Sequence, residues 1–159
     1  AKASLYIVVT NTISIANIKE SCSRIQTIAH ECIHSIQNKK ILMFNFIYSN
    51  IYILYFTIIC ILTIFNKVSN RMLQIFILTL LSFIYYKVRS YLEIDAMTRA
   101  ENLSKEYISQ ENILSKENEE RLMNKYKELN KIGIKTYTFM LTIKMIIKPL
   151  LYCVIALFK

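Results

Sequence analysis

The sequence contains one glycine, one proline, no tryptophan and two histidines in 159 residues. So few glycines and prolines leave little turn chemistry, which excludes a fold built on many tight turns and favours long helices. The four cysteines (Cys22, Cys32, Cys60 and Cys153) include no C-x-x-C pair, and two of them lie inside apolar runs, so no structural disulfide is expected. The amino end lacks the basic stretch, apolar stretch and small-residue cleavage site of a secretory signal peptide. The chain opens on Ala1 rather than Met, as expected if an upstream piece precedes it.

Apolar residues are what the sequence has in abundance. At 54% of the chain they exceed the share of an ordinary soluble domain of this length, so water is not expected to be its only solvent. The net charge of +9 lies mostly beside or between the apolar runs, the pattern of membrane-flanking charge rather than of a compact nucleic-acid face. Acidic and basic residues are intermixed over Glu101 to Lys131 with few aromatics between them, so no nucleic-acid partner is expected.

The expected fold is mainly α, a multi-pass membrane helical protein forming one domain over residues 1–159. Leu5 to Val9 and Thr12 to Ala16 read as one or two short strands or a hairpin, suited to packing or to pairing with a peptide. A helix over 17–38 starts with Asn17 as N-cap and Glu20 three residues on. Apolar segments at 41–65 and 72–86 form a membrane hairpin, helices over 90–133 are solvated, and 137–158 is a last membrane segment interrupted by Lys144, Lys148 and Pro149. Ser115 is the expected cap of the helix that Gly133 ends. Ten basic residues between Lys87 and Lys135, against Lys67 and Arg71 in the opposite link, predict that the 87–136 region is cytoplasmic. A hairpin over 41–86 returns the amino-terminal region to that same side.

His30, Glu31 and His34 form H-E-x-x-H, and the chain has no histidine outside it. Two histidines four apart stand one turn above each other on a helix and can reach one zinc ion, while Glu31 can act as general base toward a water. A catalytic zinc needs a third protein ligand. Glu93 is the expected one, because it heads an apolar stripe of Ala96, Met97, Ala100, Leu103 and Tyr107, and an inward carboxylate needs a partner. Asp95, the only aspartate, is a candidate for bonding a ligand histidine or for a helix-surface ion pair. Cys32 stands about 200° around the axis from His30 and should point away. Tyr107 and Tyr137 are conceivable oxyanion donors.

The block SRIQTIAHECIHSIQ ending at Gln37 resembles the A-A-H-E-x-G-H-A-I-Q helix of the YugP-like neutral zinc metallopeptidases of bacterial membranes. LEIDAMTRA over Leu92 to Ala100 resembles that family's V-E-F-D-A-S-R-R-A, and the stretch from Ile134 to Tyr137 resembles its A-L-T-Y. Similarity to HtpX-like and CAAX-type membrane gluzincins is more distant. The resemblance implies a multi-pass membrane zinc endopeptidase with His30, His34 and Glu93 as ligands, Glu31 as base, and a peptide or protein substrate. Ile33 stands where the family has glycine, and Met97 where it has serine. The competing expectation is a noncatalytic relative with a structural or empty metal site.

Overall fold

The computed structural model describes residues 3–112 and 114–158; Ala1, Lys2, Ile113 and Lys159 lie outside the description. Among the described residues the fold is mainly α. Strands β1 (Leu5–Ile7) and β2 (Thr12–Ser14) precede four helices: α1 (Ser21–Ile36), α2 (Lys39–Ile64), α3 (Arg71–Gln110) and α4 (Lys116–Leu157). The chain divides into two compact units, Ala1–Leu42 with Tyr91–Thr136, and Met43–Ser90 with Tyr137–Lys159.

In the first unit the two strands pair antiparallel, with Leu5 opposite Ser14 and Ile7 opposite Thr12. Asn11 takes the left-handed conformation that the hairpin turn needs, and Tyr6 Oη donates to its side chain. The N-cap of α1 is Glu20, not Asn17: its carboxylate accepts from the Cys22 and Ser23 amides at 3.2 and 2.6 Å. A carboxylate there satisfies two orphan donors and faces the positive end of the helix dipole, which is why the helix begins later than expected. Helix α1 buries Ala29 and Ile33 against Ala96 and Ala100 of α3, with Leu103 alongside. The bulk of Ile33 is met by two alanines, so the helices pack around it. A second cluster joins Ile108, Met123 and Tyr126, flanked by Cys22 and Ile25, and Tyr126 Oη donates to the Cys22 carbonyl. Burial pushes the Tyr126 phenol up to about 12, with the neighbouring Cys22 and Glu20 adding to the effect.

The second unit holds most of α2, the first half of α3 and the second half of α4. Its core is Tyr52, Ile59, Leu78 and Tyr152, with Thr63 Oγ1 and Tyr152 Oη sharing a hydrogen bond of 3.0 Å. Large apolar side chains such as Phe44, Leu54, Phe76 and Leu150 point outward. Helices α2, α3 and α4 are long and apolar enough to cross a membrane. Helix α2 ends in a Schellman arrangement: Asn66 is left-handed, Lys67 N donates to Leu62 O and Asn66 N to Thr63 O. Asn70 then caps α3 through a bond from Leu73 N.

Two expected breaks are absent. The 72–86 segment and the first of the helices expected over 90–133 are one helix, because Lys87, Val88 and Arg89 change hydropathy without breaking backbone geometry. Gly133 does not end a helix either; α4 runs through both it and Pro149, and no glycine has positive φ. Pro149 has no N–H for the carbonyl of Met145, four residues earlier. Ser82 Oγ donates to that carbonyl at 2.6 Å, so the group freed by the proline is satisfied from α3.

Candidate metal centre

The centre lies within the first unit. On α1, His30 and His34 are one turn apart, their rings 4.8 Å between centroids and nearly perpendicular. From α3, Glu93 brings Oε2 to 3.5 Å from His30 Nε2 and 3.7 Å from His34 Nε2. The three ligand atoms lie within 4.8 Å of one another and can hold a metal ion. Two atoms each about 2.1 Å from a tetrahedral ion stand about 3.4 Å apart, close to the two separations between Glu93 and the histidines. Glu93 reaches this position because Leu92, Ala96, Ala100 and Ile108 form the buried stripe of α3. Tyr107, expected on that stripe, is instead 47% exposed, because Ser104 and Ile108 occupy the inward positions of those turns.

Glu31 is buried next to the cluster, and its charge is felt by His34. Among the described residues its carboxylate makes no hydrogen bond or ion pair, and its oxygens are not among the buried side-chain atoms left without a partner. Cys32 is a free thiol outside the ligand cluster. Tyr137 belongs to the second unit, where its hydroxyl accepts from Arg89 Nε at 3.4 Å.

Reading the sequence missed Gln37. This residue is the C-cap of α1, and its side-chain amide fixes the chemistry of His34. Gln37 Nε2 donates to the Leu92 carbonyl at 2.8 Å and to Asp95 Oδ2 at 2.7 Å. Both partners are acceptors, so the NH2 must face them and Oε1 must face His34 Nδ1, 2.8 Å away. In the neutral ring His34 Nδ1 therefore carries the proton and Nε2, which faces Glu93, carries the lone pair; in the charged ring Nε2 is protonated as well and faces the Glu93 carboxylate. Asp95 reaches the histidine through Gln37 and also pairs with Arg99 at 3.6 Å. The available signal was spacing: Gln37 stands three residues after His34 on the same helical face and closes the family-like block.

His34 is held above its ordinary pKa. Burial, the largest single influence, favours the neutral ring, but the facing Glu93 carboxylate, the hydrogen bond to Gln37 and the charge of Glu31 together outweigh it.

No family model, curated protein or solved structure matches the chain.

The cluster has one open side. The side chain of His30 is 22% exposed, against 10% for His34 and 8% for Glu93, and His30 borders a cavity of about 390 Å³ between α1, α3 and α4.

Proposed function

We propose that this chain is a membrane-embedded, zinc-dependent endopeptidase of the YugP-like kind, in which His30, His34 and Glu93 hold the ion and Glu31 is the general base. The observation that carries the reading is the convergence of two imidazole nitrogens and one carboxylate oxygen from two helices within 4.8 Å. Two imidazoles and a carboxylate are a donor set that suits zinc and leaves a fourth position open. Zinc held there supplies Lewis acidity, the property that makes water a competent nucleophile at neutral pH.

The chain's own groups supply the rest. Gln37 keeps His34 in the Nδ1–H tautomer, so that Nε2 is a donor to metal. Glu31 takes one proton from the attacking water; as the peptide C–N bond breaks it passes that proton to the leaving nitrogen. The second proton of the water follows to the same nitrogen, so one water is consumed and a carboxylate and a protonated amine are released.

Three long apolar helices with outward-facing apolar side chains support a multi-pass location in the cell membrane, with the bilayer and a peptide or protein substrate as partners and no role for nucleic acid. The basic residues between Lys87 and Lys135 support a cytoplasmic active site.

Metal analysis of the full chain purified in detergent tests the proposal. We expect stoichiometric zinc in the wild type and its loss in Glu93→Ala. A Glu31→Gln variant is expected to keep zinc while losing about 10²-fold or more of its activity on an unfolded protein substrate. Wild-type protein without zinc, or Glu31→Gln with wild-type turnover, would favour a noncatalytic relative.

A further inference from the structure

We propose that the cavity beside His30 seats the substrate, and that it takes an extended, uncharged stretch of polypeptide with an apolar side chain next to the scissile bond. This rests on the metallopeptidase reading and names the substrate class of that same site. The argument begins with access. His34, Glu93 and Glu31 are buried, so a substrate reaches the centre by the side on which His30 is exposed, and that side opens on the cavity.

The lining then sets the chemistry. The polar part of the wall is Ser23, Gln26 and Thr27 from α1 and Asn130 from α4. Both Nδ2 bonds of Asn130 are already made, to Met97 O at 3.0 Å and Glu101 Oε2 at 3.5 Å, which leaves its Oδ1 as an acceptor suited to a peptide N–H. The apolar part is Met97, Ala100 and Leu129. No Asp, Glu, Lys or Arg lines the cavity among the described residues, in a chain with 20 basic and 11 acidic residues. A charged side chain would meet no charged residue on the lining, whereas neutral amides and hydroxyls match a peptide backbone. A volume of about 390 Å³ is in the range of pockets that bind small ligands and has room for backbone and one side chain.

Gly133 fits this account. Glycine is the least favourable residue in a helix interior after proline, yet the chain's only glycine stands within α4 without positive φ. It borders the cavity, and a Cβ built on it meets nothing within 4 Å. No close approach of another group requires glycine there. What its missing side chain leaves is space.

The test uses the full chain in detergent, loaded with zinc, and peptide hydroxamates that differ only in carrying an Ala, Leu or Lys side chain beside the metal-binding group. Affinity for the Leu probe should exceed that for the Ala probe by about ten-fold or more, with the Lys probe weakest. Gly133→Phe and Thr27→Phe, on opposite walls, should each lower Leu-probe affinity at least ten-fold while zinc stoichiometry stays unchanged. Gly133→Ala controls for helix effects and should bind like the wild type. If zinc and hydroxamates bind but side chain and wall substitutions make no difference, the cavity assignment is overturned and the metal reading stands. A wild type that binds neither zinc nor hydroxamate sinks both.

Discussion

At the scale of single residues, the centre depends on which nitrogen of His34 carries the proton. Gln37 sets this through an amide whose two donors are already committed to Leu92 O and Asp95. A Gln37→Leu substitution removes that constraint without removing a ligand, so zinc affinity should fall about 10- to 100-fold, measured by competition with a chromophoric chelator. Asp95→Asn should have a smaller effect, because the Leu92 carbonyl still orients the amide. The raised pKa of His34 makes a second prediction, whose sign follows from linkage. Protonation of His34 stabilises the metal-free fold fully below its ordinary value of 6.5, and that contribution is lost as pH rises through the higher folded value. Zinc needs the unprotonated ring, so affinity should strengthen with rising pH over the same window, and melting of apo and zinc-loaded protein across pH 5 to 8 would display the divergence. A pH-independent difference between the two forms would remove His34 from the ligand set.

At the scale of elements, α4 carries a proline in an apolar segment and stays helical because α3 compensates. The bond from Ser82 Oγ to Met145 O has a defined reason in Pro149, which gives a coupling test. Ser82→Ala should destabilise the protein by about 1–2 kcal/mol, since it leaves a buried carbonyl without a donor. In a Pro149→Ala background the helix can supply its own N–H, so the same Ser82→Ala change should cost much less. Equal costs in the two backgrounds, read from denaturation in detergent, would show that the serine and the proline are not linked. The continuity of α3 and α4 has the same kind of explanation. A change in polarity suggests a boundary at Tyr86 and the lone glycine suggests one at Gly133, but a helix ends where caps or breakers stop its hydrogen bonds, as Asn66 does for α2.

At the scale of the whole molecule, the mainly apolar composition and the outward apolar side chains of the second unit are the basis of the proposed membrane location. Membrane fractions washed with high salt and then with alkaline carbonate should retain the chain in the pellet. Release by salt would indicate a surface association through the basic residues alone, since exposed charge pairing is screened whereas apolar spans are not. The same extraction applied to Glu93→Ala separates failed insertion from a lost metal site, because the substitution lies in the first unit and should leave extraction unchanged.

The sequence by itself determined what depends on neighbours along the chain. H-E-x-x-H placed His30 and His34 on one face of α1 because four residues make about one helical turn. The apolar runs marked helices long enough to span, and the short β-branched stretches at the amino end marked one or two strands or a hairpin. Its stripe also pointed to Glu93, although Tyr107 lies outside it. Only the tertiary structure decided what depends on helices meeting. It put the Glu93 carboxylate against both imidazoles, joined Gln37 to Leu92 and Asp95 across 55 and 58 residues of chain, and set Ser82 against the carbonyl that Pro149 leaves free. Periodicity tells which face of a helix is buried, but not which residue of another helix that face will touch. The proton on His34 Nδ1 is a consequence of such a contact, and no spacing along α1 could have assigned it.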